Sequence, residues 1–307
     1  MRNTFIATLA EVAEADPKVW LLCGDLGFSV LEPFAAKFPD RYVNIGVAEQ
    51  NMAGVAAGIA LTGKTVFIYS IGNFPTLRCL EQLRNDVCYH AADVKVVSVG
   101  AGFAYGSQGY THHAIEDVAV MSALPGMEVF VPCDPNETRD ITRMIARSGR
   151  PSYLRLSRAG EPVLDGSRPA DPRTPRWLAE GTGEVCILAS GPIAGACLQA
   201  RPMLRSASAV SIASIPCIKP LDETFIRTAA RKARLVVTVE EHILRGGLYG
   251  AVAGVLAGER LAARLLGFGV PEATKISTAG DRDSLLTKAG LGPQAMAEAI
   301  EAALAQP

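Results

Sequence analysis

No stretch of this 307-residue chain stays apolar for long enough to cross a bilayer, so no helical membrane span is expected. Residues 1–15 mix charged and apolar groups at helical spacing and lack the unbroken apolar core of a secretory signal. Neither sign of charge is in surplus: 30 Lys and Arg stand against 31 Asp and Glu, for a net charge of −1 and a pI near 6.4. That balance removes the electrostatic attraction that draws proteins to nucleic acid or to an anionic membrane. None of the seven cysteines (Cys23, Cys79, Cys88, Cys133, Cys186, Cys197, Cys217) forms a Cys-x-x-Cys pair, and several fall in apolar strands. They read as buried, reduced thiols of a cytoplasmic protein. No short-period repeat and no low-complexity tract is present. No Gly-x-Gly-x-x-Gly follows the first strand, which argues against a nucleotide-binding Rossmann domain.

Hydrophobic residues make up 49% of the chain and charged residues 20%, the balance of a globular protein. The length suffices for two domains and a large core. Short runs rich in β-branched or aromatic residues, bounded by Gly, Pro or Asp, recur at 19–23, 41–45, 65–69, 94–99, 128–131 and 153–156, and again at 185–188, 209–212 and 235–239. Helical segments separate them, among them 52–61, 76–89, 136–147, 193–204, 222–230 and 246–256. This alternation predicts parallel sheets covered on both faces, that is, an α/β protein of two three-layer α/β/α domains. Pro162, Pro169, Pro172 and Pro175 punctuate a polar stretch between the halves. The expected division is a first domain at 1–160, a linker at 161–182 and a second domain at 183–307.

Three features of the first half bear on chemistry. Gly46-Val-Ala-Glu49-Gln-Asn follows a short strand and opens a very apolar helix, so Glu49 lies at the ligand crevice of an α/β sheet. Apolar surroundings would make its carboxyl resist ionisation and share a proton. By position alone it reads rather as a structural first-turn carboxylate favoured by the helix dipole. Phe74, in Gly72-Asn-Phe-Pro just past a strand, could stack on a flat heterocycle or plug the domain edge. Gly106-Ser-Gln-Gly-Tyr-Thr-His112-His113 bends on its glycines and leads two histidines towards a helix. His112 could donate to an oxyanion or move a proton, whereas His113 could cap the helix or face solvent. No third ligand lies nearby in sequence, so no metal site is assigned.

In this order, Gly46-Val-Ala-Glu-Gln-Asn, the Phe74 loop, Gly106-x-x-Gly-x-Thr-His112 and Leu156-Ser-Arg158 resemble transketolases. Val185-Cys-Ile-Leu-Ala-Ser-Gly-Pro, Ile218-Lys-Pro-Leu-Asp and Val239-Glu-Glu-His-Ile-Leu-Arg-Gly-Gly-Leu extend the likeness to nearly the whole chain. It resembles the C-terminal half of a transketolase or of a 1-deoxyxylulose-5-phosphate synthase: a pyrimidine-binding domain followed by a transketolase C-terminal domain. The resemblance implies thiamine diphosphate chemistry. The glutamate matching Glu49 bonds a ring nitrogen of the aminopyrimidine, Phe74 matches the residue stacked on that ring, and His112 matches a histidine lining the substrate channel. Arg158 matches a phosphate-binding arginine. Gln108 stands where transketolases read the acceptor hydroxyl with an aspartate, and Gly100 where they carry a phosphate-contacting histidine. Arg78 lies close to these residues in sequence and is a further substrate-binding candidate, or pairs with Glu81 or Glu32.

The family's diphosphate–metal motif, Gly-Asp-Gly followed by Asn, has no match here. Gly24-Asp25-Leu26-Gly27 is the nearest string, which makes Asp25 the remaining cofactor-binding candidate. The resemblance then implies a split enzyme. A companion chain would hold the diphosphate and Mg²⁺, with two copies of each chain in a heterotetramer, acting on a sugar or sugar phosphate. The rival readings are the β-subunit of a 2-oxoacid dehydrogenase decarboxylase, disfavoured by the Gly-x-x-Gly-x-Thr-His112 loop, and a non-catalytic assembly subunit. The second domain is expected to be structural, with Glu240, Glu241 and His242 at an interface or on the surface.

Overall fold

The computed structural model describes residues 1–271 and 279–306; residues 272–278 and 307 of the expected second domain lie outside the described residues. Among the described residues, twelve strands build two sheets. They are β1 (Val19–Cys23), β2 (Tyr42–Asn44), β3 (Thr65–Ile71), β4 (Val94–Val99), β5 (Glu128–Phe130), β6 (Ser152–Leu156), β7 (Arg176–Ala179), β8 (Val185–Ser190), β9 (Val210–Ser214), β10 (Cys217–Lys219), β11 (Leu235–Ile243) and β12 (Arg264–Val270). The first sheet has the order β10-β5-β6-β4-β3-β1-β2, the second β12-β11-β8-β9-β7. Pairing is parallel throughout except at β10 against β5 and β7 against β9, both antiparallel edges.

The central strands are buried from end to end, as strands covered on both faces must be. Successive side chains of β3 serve opposite layers. Phe67 and Tyr69 pack with Phe5 and Leu9 of the helix Arg2–Ala15. Val66 and Ile68 pack with Met52, Ala53 and Ala56 of the helix Glu49–Leu61. The second sheet repeats the scheme, with Val237 and Val239 facing the helix Pro293–Ala305 and Val236 facing the helix Leu248–Glu259. Each fully buried Val, Leu, Ile or Phe contributes about 1.5–3 kcal/mol relative to exposure, so these layers dominate the stability.

The segment expected to be one helix over 76–89 is instead a single α-turn at Leu80–Gln82 followed by a π-helical Leu83–Cys88. Its inward residues Cys79, Leu83 and Val87 recur every four positions. That spacing keeps all three on one face towards the core.

The two halves are interlocked. The proline-rich stretch contains β7, and β10 from the second half closes the edge of the first sheet. Asp134 caps the helix Pro135–Ile145 through the Glu137 N–H, while Glu137 reaches back to the Cys133 N–H, a reciprocal cap. Arg176 of β7 then donates to both buried carboxylates, at 2.8 Å to Asp134 and 2.7 Å to Glu137. On the other side Arg155 of β6, fully enclosed, pairs with Asp117 and donates to the carbonyls of Ala114 and Glu241. Glu241 accepts from the Phe103 N–H at 2.7 Å and from Arg282. His242 Nδ1 donates to the Ile243 carbonyl, and its Nε2 accepts from the Ala119 N–H. Glu240, Glu241 and His242, expected at an interface or on the surface, are all buried where the halves of this chain meet. Burial depresses the His242 imidazole to about 4 and pushes the Glu240 carboxyl up to about 8, although Glu240 accepts from the N–H groups of Leu248 and Tyr249.

Candidate active site

The ends of β1, β2 and β3 define one crevice. From β1 the chain moves outward to β2 and then returns across β1 to β3, and such a reversal leaves room outside the carboxyl ends of the strands. The turn after β2 is fixed by Asn44, whose Oδ1 accepts the N–H groups of Gly46 and Asp25. Gly46 adopts φ +77, a conformation that suits glycine. Glu49 follows as the first residue of its helix, with 4% of its surface exposed. Asn44 Nδ2 also donates to Asp25 Oδ1 at 2.9 Å, so the Asp25 carboxylate braces the same turn.

The Glu49 carboxylate is not left in apolar surroundings. Arg78 Nη1 donates to both of its oxygens, at 3.2 and 3.1 Å. The same guanidinium lies over the Phe74 ring, 3.9 Å from its centroid. Arg78 therefore pairs with neither Glu81 nor Glu32. Glu32 accepts from the Ser29 N–H instead. Beside the carboxylate, Ser70 Oγ at the end of β3 is buried without a hydrogen-bond partner. A Cβ at Gly24 would touch it at 3.6 Å and Glu49 Oε1 at 3.7 Å, so these oxygens border one small space.

His112 meets Phe74 edge to face, with ring centroids 5.2 Å apart. Asn73 Nδ2 holds the two loops together by donating to the His113 carbonyl at 2.8 Å. Burial depresses the His112 pKa, and the nearby Arg78 and His113 add to the effect, so the imidazole is neutral at neutral pH. The Thr111 hydroxyl lies 3.0 Å from its Nδ1. His113 is neither a helix cap nor solvent-facing. It is buried, with Nε2 3.3 Å from the Gly106 carbonyl and its ring edge-on to Phe103, and so supports the loop from below.

Two of the anticipated residues stand apart. Gln108 is exposed on the turn Gly106–Gln108. Arg158 lies over Tyr105 and lines a cleft of about 540 Å³ between the two halves, together with Glu161 and Arg282. Neither Glu49, Phe74, His112 nor Gln108 borders that cleft. Gly100 has φ +97, and a Cβ there would come within 2.2 Å of the Tyr105 ring, so no side chain fits while Tyr105 is in place. Asn44, Asn73 and Ser70 escaped the sequence reading. Only Asn44 carried a signal, an Asn two residues before a turn glycine.

The profile of the transketolase pyrimidine-binding domain matches residues 1–161, and that of the transketolase C-terminal domain matches residues 178–296. A transketolase C-terminal section of Methanocaldococcus jannaschii is 35% identical over 305 residues, 98% of this chain and 95% of that one. One of the apulose-4-phosphate transketolase subunits of Phocaeicola vulgatus is 34% identical over 270 residues, 87% of this chain and 86% of that one. A solved split-gene transketolase, an inactive β4 tetramer, superposes with a TM-score of 0.86 at 36% identity, covering 99% of this chain and 97% of its own. With both domain profiles matched in order and relatives of similar length, the chain belongs to the transketolase family as a transketolase subunit.

Proposed function

We propose that this chain supplies the proton-sharing half of a split, thiamine-diphosphate-dependent transketolase. The complex would move a two-carbon ketol unit from a ketose or ketose phosphate to an aldehyde. The observation that carries the reading is the pairing of the buried Glu49 carboxylate with the Phe74 ring. One flat group already contacts both, so the two side chains are spaced to hold the edge and the face of a planar heterocycle.

When bound, thiamine diphosphate supplies the electron sink that lets a carbon–carbon bond beside a ketone break and re-form. This chain's residues do the rest of their half. Glu49 holds a proton at a ring nitrogen, in a pocket that limits access of water. Phe74 supports the ring's face, and Asp25 stiffens the turn beside it. His112, neutral and edge-on to Phe74, meets a substrate hydroxyl or developing oxyanion. Arg158, in its cleft, offers two parallel N–H groups to a phosphate. Gln108 meets the acceptor. The diphosphate and Mg²⁺ are assigned to a companion chain in an α₂β₂ assembly, because the sequence has no Gly-Asp-Gly…Asn. The cysteines of this chain are all free and mostly buried, which suits a reducing cytoplasm.

The test is reconstitution with a companion chain carrying Gly-Asp-Gly…Asn. The pair is expected to transfer ketol units from a ketose phosphate and to show no pyruvate decarboxylation, while the chain alone does neither. Glu49→Gln should lower turnover about 10²–10⁴-fold with assembly intact. Full activity of the chain alone, or of the Glu49→Gln complex, would overturn the reading.

A further inference from the structure

We propose that Arg78 is an internal stand-in for the cofactor's aminopyrimidine, filling the seat between Glu49 and Phe74 until the cofactor displaces it. The inference rests on the proposed function, in which this seat receives the pyrimidine ring.

A guanidinium is planar, delocalised and edged with N–H donors. Here it makes both contacts expected of the heterocycle. Its Nη1 donates to the two Glu49 oxygens, and its central carbon lies over the Phe74 ring, 3.9 Å from the centroid. Two flat groups cannot occupy one face of the same ring, so the seat holds either Arg78 or the pyrimidine. Among the described residues, no other donor reaches the Glu49 carboxylate, which would otherwise be a buried charge without a partner. The nearby Ser70 hydroxyl makes no hydrogen bond to it.

The two partners are anchored unequally. Glu49 is 4% exposed on a regular helix, whereas the Arg78 side chain is 49% exposed, on the turn that precedes Leu80–Gln82. Rotation of the Arg78 side chain into solvent opens the seat without any movement of the backbone. His112, touching Phe74 at its edge, can remain in place. Arg78 thus keeps the carboxylate oriented and partnered in the empty chain, at the cost of competing with the ligand. If the seat is closed about nine-tenths of the time, the apparent affinity for the cofactor is about tenfold weaker than the intrinsic one.

The experiment compares the wild-type complex with its Arg78→Ala, Arg78→Lys and Arg78→Ala/Glu49→Gln variants. Thiamine diphosphate binding is titrated calorimetrically at fixed Mg²⁺ and salt, and thermal midpoints are measured with and without the cofactor. Arg78→Ala should bind about tenfold tighter. Its midpoint should fall when empty and match the wild type when loaded, because the lost pair exists only in the empty state. Arg78→Lys, which keeps the charge but not the flat stack, should lie between. Equal or weaker binding by Arg78→Ala would overturn the stand-in and make Arg78 a bystander or a ligand-holding group. Binding by an Arg78→Ala/Glu49→Gln double variant as tight as by Arg78→Ala alone would instead sink the pyrimidine seat itself, since neither protein has Arg78 to compete.

Discussion

Acid should weaken the contact that His242 makes between the two halves of this chain, by an amount the structure sets. His242, near the end of β11, reaches the helix Asp117–Ala123, donating to the Ile243 carbonyl and accepting from the Ala119 N–H. A second proton would turn Nε2 from acceptor to donor, facing an amide that also donates. Asp117 nearby favours the cation and Arg155 opposes it, but burial dominates and takes the imidazole from its ordinary 6.5 to about 4. The sign follows from proton counts. Between pH 6.5 and 4 the unfolded chain binds a proton that the folded chain refuses, so stability falls as pH falls. At 1.36 kcal/mol per pK unit the full effect is about 3 kcal/mol, of which about 2 kcal/mol is lost between pH 7.5 and 5.

Glu240 works in the opposite sense. Its pKa, raised to about 8, stabilises the protein fully below 4.5, and this contribution is lost as pH climbs to 8. The wild-type profile alone would therefore hide the imidazole. The measurement is the difference in unfolding free energy between wild type and His242→Gln, by urea denaturation at both pH values, with the same pair compared in a Glu240→Gln background because Glu240 Oε2 lies 3.7 Å from His242 Nδ1. The wild type should lose about 2 kcal/mol of its advantage on acidification. A gap that stays constant within about 0.5 kcal/mol would refute a neutral, hydrogen-bonded His242.

Two more outcomes follow from contacts between the halves. Asp117→Asn leaves the enclosed Arg155 without its counter-charge and should cost about 3–5 kcal/mol in urea unfolding; a loss below about 1 kcal/mol would mean that the guanidinium finds another partner. Gly102→Ala places a methyl 2.3 Å from Glu241 Cγ at a φ of +58, and should lower the melting temperature by several degrees or prevent folding; an unchanged melting curve would show that Glu241 moves aside freely.

The sequence revealed its strands where burial on both faces demands β-branched residues. β4, Val-Lys-Val-Val-Ser-Val, needed no tertiary information, although its Lys95 is itself buried against Asp93. β12 was hidden by its glycines, which read as breaks. Yet a Cβ at Gly267 would come within 2.5 Å of the Tyr249 ring, and one at Gly269 within 2.7 Å of the His242 carbonyl, so close packing demands them. β7 and β10 are four and three residues long and pair across the chain, which no local pattern encodes. At the candidate site, the meeting of Glu49, Phe74 and His112 was legible because each follows a strand end. The contact of Arg78 with Glu49 was not, because it depends on how one irregular turn aims a long side chain. The buried state of Glu240, Glu241 and His242 was missed for a related reason: three consecutive polar residues read as interface or surface until the backbone N–H groups that hold them, of Leu248 and Tyr249, Phe103 and Ala119, are known.

The edge strand that the second half lends to the first sheet governs how this polypeptide can be dissected. A fragment ending near residue 161 would carry every residue of the Glu49 crevice but not Cys217–Lys219, leaving the outer flank of Glu128–Phe130 with bare N–H and C=O groups. Such a flank is a template for pairing with another copy. Fragments meant to isolate the crevice would gain its chemistry and a tendency to precipitate together, and the shortest well-behaved piece should extend past Lys219.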